Sequence, residues 1–155
     1  SISCSGVCLT LEKFIKKIST FYISKETLSK TIFSSAKVND IINMEKSLKF
    51  GQRLSGHFVQ GHIDTTSKIK RITHVGKSWL VDFKLPNRYK KYIIPKGSIT
   101  INGVSLTVTK LLGYGFQVSL VPHTLKHTNL IYLKEKEEVN VELDVLGKYI
   151  KHYIK

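Results

Sequence analysis

Two residues suited to chemistry stand at equivalent places in a phrase this chain writes twice. SISCSGVCLTL fills residues 1–11 and SITINGVSLTV fills residues 98–108, so Cys8 answers Ser105. A thiolate adds readily to electron-poor carbon, and a hydroxyl both donates and accepts hydrogen bonds. Thr10 and Thr107 follow two residues later. The two-residue period of a strand puts each on the same face as its Cys or Ser. His62, in Gly61-His62-Ile63, is a residue type that relays protons near neutral pH. His57 stands nearer the start of its stretch and reads as structural. Taken alone, Cys8 reads better as a small buried residue after a turn, and the threonines as ordinary strand residues.

The elements that must position these groups follow from the repeat. Six of eleven positions match between the phrases, at an offset of 97. The offset holds further on: Thr27-Leu28 answers Thr124-Leu125, and Ile42-Asn43-Met44-Glu45 answers Val139-Asn140-Val141-Glu142. One fixed offset kept this long marks an internal duplication. The second unit begins near Gly56, so the counterparts of roughly its first 40 residues are absent from this chain, through a fragment or a naturally truncated first unit. Of the two, a fragment is expected, and the upstream reading frame to resemble residues 56–85.

The unit reads as antiparallel β. His57–Ile63 and Lys68–Ile72 look like strands, Trp79–Leu85 alternates, and Pro86 ends it. Ser98–Ile101 and Ser105–Leu112 flank Asn102-Gly103, a dipeptide suited to the positive φ of a tight hairpin. Ser5-Gly6 has that part in the first copy. Phe116–Val121 and Glu138–Asp144 are further strands, with a short helix after Pro122. Six short strands and one small helix fit a closed barrel. From residue 145 on, Leu146, Tyr149, Ile150, Tyr153 and Ile154 fall at helical spacing. The expected domains are thus 1–50, the remainder of one barrel; 51–144, a second barrel; and 145–155, a helix for packing on the barrel or another subunit.

Composition narrows the function. The 25 basic and 11 acidic residues give a net charge of +14, but the lysines are dispersed and only three arginines occur. Such a spread describes a solvated surface better than a nucleic-acid groove. A basic barrel binding single strands would need exposed aromatics, whereas Phe58, Trp79, Phe83 and Phe116 read as core. No apolar run is long enough to span a bilayer. Cys4 and Cys8, four apart, would share one strand face at about 13 Å, too far for a disulfide. Without a CxxC or paired histidines no metal site is expected. Unpaired thiols point to the cytoplasm.

With SGVCLT (5–10), SGHFVQGHIDTT (55–66), KGSITINGVSLTV (96–108) and VPHTL (121–125) in this order, the chain resembles the riboflavin synthases of the alpha-subunit, lumazine-binding type. The resemblance implies an all-β fold of two tandem six-stranded antiparallel Greek-key barrels, the first incomplete here, with a C-terminal helix. It implies a transferase of riboflavin biosynthesis. Two 6,7-dimethyl-8-ribityllumazine molecules dismutate to riboflavin and 5-amino-6-ribitylamino-2,4-pyrimidinedione, with no metal or cofactor. Two lumazines share each active site, between the N-terminal barrel of one subunit and the C-terminal barrel of another in a homotrimer.

Cys8 is placed by the resemblance in the N-barrel site, Ser105 in the C-barrel site and His62 between barrels; with Thr107 they form the expected catalytic group. Cys8 would add to C7 of one ring, directly or by placing a water. Ser1, Ser3, Thr10, Thr27, Lys96, Gly97, Ser98, Thr100, Asn102, Val121 and Thr124 are the expected binding residues. Lys96 would meet the ribityl chain or an anionic ring, Val121 would be pocket wall, and Thr27 and Thr124 would hold the ribityl end. Within the superfamily the rival is an antenna protein that binds lumazine or flavin without turnover. Such a protein tends to lose the reactive groups retained here.

Overall fold

The computed structural model describes residues 1–154. Its elements are β1 (Ile2–Cys4), β2 (Val7–Leu9), β3 (Leu11–Ile15), β4 (Ile18–Phe21), α1 (Lys25–Lys30), β5 (Met44–Lys46), β6 (Thr65–Val75), β7 (Ser78–Lys84), α2 (Asn87–Lys90), β8 (Ser98–Ile101), β9 (Val104–Leu112), β10 (Gly115–Leu120), α3 (Pro122–His127), β11 (Glu138–Leu143) and α4 (Val145–Tyr153). Single 3-10 turns cover Ile32–Ser35 and Asn129–Tyr132. Lys155, which ends the stretch expected to be helical, lies outside the described residues.

Strands β6 to β11 close into an antiparallel barrel, in the order β10-β7-β6-β11-β8-β9. Alternation fills its interior. Ile99 and Ile101 of β8, Leu106 and Val108 of β9, and Val118 and Leu120 of β10 pack there with Phe83 and Phe116. These two rings stack at 5.3 Å between centroids. A lumen packed this way has no room for a ligand. Any site must therefore lie on the outer face, where Ser98, Thr100, Ser105 and Thr107 alternate with the core residues.

The duplication is visible element by element. Shifted by 97, β1 falls on β8, β2 and β3 on β9, β4 on β10, α1 on α3, the first 3-10 turn on the second, and β5 on β11. The turns agree in detail: Ser5 and Gly6 have φ of 43° and 84°, Asn102 and Gly103 47° and 84°. The first unit forms a three-stranded sheet, β2-β1-β5, and a separate β3-β4 ribbon, so among the described residues one barrel closes and not two. Its sheet has a small core of its own, Cys4, Val7 and Leu9.

The two units meet about an approximate two-fold axis. Gly6 and Gly103 stand back to back, and a Cβ on either would lie 2.7–2.8 Å from the other's backbone nitrogen. Around them two asparagines are exchanged. Asn43 Nδ2 donates to Asn102 O at 2.9 Å, and Asn43 Oδ1 accepts from Asn129 N at 2.6 Å. In the mirrored sense, Asn140 Nδ2 donates to Ser5 O at 2.9 Å and Asn140 Oδ1 accepts from Ile32 N at 2.8 Å. Each asparagine thus bonds the turn carbonyl and the first 3-10 amide of the other unit. This contact makes β11 a strand buried on both faces. Val139, Val141 and Leu143 point into the barrel, while Asn140 and Glu142 are buried outside it.

Several expectations need correction. His57–Ile63 is not a strand but an irregular strap, since Gly56 and Gly61 take φ of 91° and 81°. Cys4 and Cys8 do not share a face: the Ser5-Gly6 turn separates them, leaving Cys4 buried and Cys8 exposed, both as free thiols. Burial pushes the Cys4 thiol above its ordinary value. Phe83 and Phe116 are core as expected and Trp79 is partly buried, but Phe58 is exposed. The tail does form a helix. Asp144 caps it by accepting from Leu146 N at 3.0 Å, and Lys148 pairs with Asp64 at 2.7 Å. Leu146, Tyr149, Ile150, Tyr153 and Ile154 remain exposed. Among the described residues no helix is long and apolar enough to cross a membrane.

Replacing Asn140 by Ala strands an amide and a carbonyl in a dry contact. The loss is expected to be about 2–4 kcal/mol, as an orphaned buried polar group costs roughly 1–3 kcal/mol. Urea denaturation checks this; an unchanged midpoint would show that the exchange adds no stability.

Candidate functional site

The site grows from two hairpins with the same outward pattern. In the second unit Ser98 pairs with Thr107 and Thr100 with Ser105. Four hydroxyls therefore form a two-by-two array on the barrel's outside. In the first unit Ser3 pairs with Cys8, and Ser1 and Thr10 flank the Ile2–Leu9 pair. The arrays correspond position for position at the 97-residue offset, with Cys8 in place of Ser105 and Ser3 in place of Thr100.

The strap of residues 55–61 runs from one array to the other. At one end Gly56 sits against Ser105, where an added Cβ would lie 2.5 Å from Oγ. His57 follows: its Nδ1 is 2.7 Å from Ser105 Oγ and its Nε2 is 3.1 Å from Thr100 Oγ1. A neutral imidazole donates at one nitrogen and accepts at the other, which suits two hydroxyls that can do either. At the far end Gly61 sits against Cys8, where a Cβ would lie 2.6 Å from the cysteine Cβ. Cys8 N also donates to Gly61 O at 2.9 Å. Both contacts need glycine, because of space and because of positive φ. At that same end the buried carboxylate of Glu142 accepts from Gln60 N at 2.8 Å and Gly61 N at 2.9 Å.

Cys8, Ser105 and His57 line one open cavity of about 600 Å³, together with Ser1, Ser3 and Arg53. Burial holds His57 below the ordinary histidine value, while the nearby carboxylates of Asp144 and Glu142 pull the other way. Glu45 and Lys46 are further charged groups on this cavity.

Other expected residues lie elsewhere. His62 is exposed, one residue beyond Gly61, and Thr10 and Thr107 are exposed on the outer strand faces. Thr100 is fully buried beneath His57. Asn102 is buried in the hairpin turn, where its Oδ1 accepts from Asn140 N at 2.8 Å. Lys96 is exposed with φ of 65°, while Gly97 and Ser98 border a groove against α4. Thr27 Oγ1 lies 3.0 Å from Ser24 Oγ in the α1 cap, and Thr124 O accepts from Thr128 Oγ1 at 2.8 Å. Val121 is the exposed N-cap of α3. Among the described residues no group of three or more His, Cys, Asp or Glu could hold a metal ion.

Sequence reasoning set His57 below His62 and passed over Glu142. A signal existed for the first: Gly-His is written twice, at 56–57 and 61–62, one copy for each array.

The lumazine binding domain model matches residues 1–47 and 60–144. Riboflavin synthase of Actinobacillus pleuropneumoniae is 41% identical over 154 residues, covering 99% of this chain and 72% of the relative. This chain belongs to the riboflavin synthase family. The riboflavin synthase of Bacillus subtilis (strain 168) is 34% identical over the same shares, 99% and 72%. Among solved structures, LumP with riboflavin bound superposes with a TM-score of 0.85 at 25% identity, over 92% of this chain and 77% of that one. LumP with 6,7-dimethyl-8-(1'-D-ribityl) lumazine shares the fold, with a TM-score of 0.82 at 22% identity, over 92% and 76% of the two chains. The family match pauses between residues 47 and 60, a stretch that includes most of the strap.

The burial of His57 sets a pH dependence. Because its native pKa is lowered, its contribution to stability is complete above 6.5. It is lost as pH falls from 6.5 through the lower native value, and is constant below that. A histidine NMR titration should place the His57 midpoint below 6.5. A midpoint at or above the ordinary value would contradict the buried, hydroxyl-flanked placement.

Proposed function

We propose that this protein is a riboflavin synthase that dismutates two molecules of 6,7-dimethyl-8-ribityllumazine. One ring loses a proton from its C7 methyl group; the other is activated by a nucleophile at C7. A four-carbon unit passes between them, giving riboflavin and 5-amino-6-ribitylamino-2,4-pyrimidinedione. The observation that carries this reading is the pair of equivalent polar arrays, Ser1/Ser3/Cys8/Thr10 and Ser98/Thr100/Ser105/Thr107, related by the 97-residue offset. Two identical substrates suit two copies of one binding surface. Holding both rings together removes much of the entropic barrier of a bimolecular step.

The thiol against the hydroxyl then separates the roles. Cys8 acts as the nucleophile at C7 or seats the water that does. Ser105, bonded to His57, places a hydrogen-bonding pair at the second ring, and His62 and Thr107 serve proton movement and binding at the exposed rim. Thr10, Ser1, Ser3 and Ser98 supply polar contacts to ring and ribityl chain, and Thr100, covered by His57, holds that imidazole in place. Lys96, Gly97, Val121, Thr27 and Thr124 complete the binding surface, while buried Asn102 shapes the turn beneath it. Neither metal nor cofactor enters the reaction.

The reading takes residues 1–50 as part of a second barrel of the same design. Supporting this, β4 and β5 are the counterparts of β10 and β11, whose partners in the closed barrel are β7 and β6. It also takes the reacting pair to meet across subunits of a homotrimer. The exposed apolar side chains of α4 support such packing. A cytoplasmic location is in keeping with two free thiols.

Incubating the intact protein with the lumazine and following riboflavin by fluorescence tests this. Turnover is expected, and Cys8→Ser or Ser105→Ala should each lower kcat by about 10²-fold or more, the range of a lost acid–base or nucleophilic group. Binding without consumption would make the protein an antenna and overturn the synthase reading.

A further inference from the structure

The strap is held by a group that the chemistry above leaves unused. Glu142 is 1% exposed. Burying an ionised carboxylate is costly unless its oxygens are well matched. Among the described residues the ion pairs are Lys30–Glu26, Lys68–Glu138, Arg71–Asp82 and Lys148–Asp64, and none involves Glu142. Its two oxygens are instead taken one each by Gln60 N and Gly61 N. The side chain stands on β11, between Val141 and Leu143, which are both locked in the barrel core. A rigid anchor of this kind can hold an irregular segment in one place.

We propose that Glu142 is a positioning residue for both arrays: its carboxylate fixes the strap, and the strap fixes His57 on Ser105 and Gly61 on Cys8. The inference rests on the reading of these arrays as the lumazine sites. Gly61 lies directly against Cys8, with Cys8 N bonded to its carbonyl. Four residues earlier, His57 bridges Ser105 and Thr100. A shift of the strap therefore changes both halves of the site together. Gln at this position cannot substitute. Its amide accepts from one backbone N–H and presents its own N–H to the other.

The test uses Glu142→Gln in the intact protein, read in three ways. Backbone amide exchange at Gln60 and Gly61 should be protected in the wild type. It should speed up by about 10-fold or more in the variant, as expected for losing a charge-assisted hydrogen bond. The His57 titration gives opposite signs for two explanations. Removing the Glu142 charge alone would lower the His57 midpoint further, since that charge raises it. Release of the strap exposes the ring and moves the midpoint up towards 6.5. Finally, kcat should fall about tenfold with lumazine affinity changed less than about threefold, the split expected of lost positioning.

Unchanged exchange, a midpoint that moves down, or unchanged kcat would each overturn the proposal. If the variant does not fold, the wild type decides: Gln60 and Gly61 amides exchanging as fast as an open loop would sink it, and protected amides would uphold it. Exchange and titration are read without substrate. A protein that lacks turnover but shows both effects therefore loses the synthase reading and keeps the strap.

Discussion

The relative placement of the two polar arrays depends on the polar exchange between the two units. Asn140 and Asn43 each reach across the approximate two-fold axis to bond the turn carbonyl and the 3-10 amide of the other unit. Between them the Gly6 and Gly103 turns approach so closely that neither tolerates a Cβ. Hydrophobic packing alone would bring the units together without fixing their angle. Buried amides with defined partners admit few orientations. That orientation buries Asn140 on the outer face of β11 and brings Gly61 of the strap against Cys8.

A second constraint works with the first. The barrel is filled by its own side chains, so its interior offers no room for a ligand. Chemistry is forced onto the outer face, where one strand period alternates core residues with hydroxyls. A duplicated hairpin therefore makes two polar arrays without any change of architecture. The difference between Cys8 and Ser105 is small in volume and large in reactivity. A fold can acquire two roles for one substrate this way while keeping its packing.

What the sequence made legible follows these constraints. Strands β8 and β9 and the Asn102-Gly103 turn were readable because alternation and positive φ are local properties. The fixed offset predicted that Ser5-Gly6 would match that turn, and the dihedral angles agree. The strap looks like a strand in sequence because His57–Ile63 mixes polar and apolar residues as a strand does. Its shape comes from non-local bonds to Glu142, Ser105 and Cys8, which no short window contains. For the same reason Cys4 and Cys8 were assigned one face: counting residues along a straight strand ignored the turn between them. Asn-x-Glu was visible in both copies, at 43–45 and 140–142. Its meaning appears only in three dimensions: both asparagines reach the other unit and Glu142 meets the strap, while Glu45 stays exposed.

The most direct measurement is the crystal structure of the intact protein with 6,7-dimethyl-8-ribityllumazine bound. Two lumazines per chain are expected, one against Ser1, Ser3 and Cys8 and one against His57 and Ser105, both outside the barrels. A single lumazine per chain, or a ring lodged inside a barrel, would contradict the account.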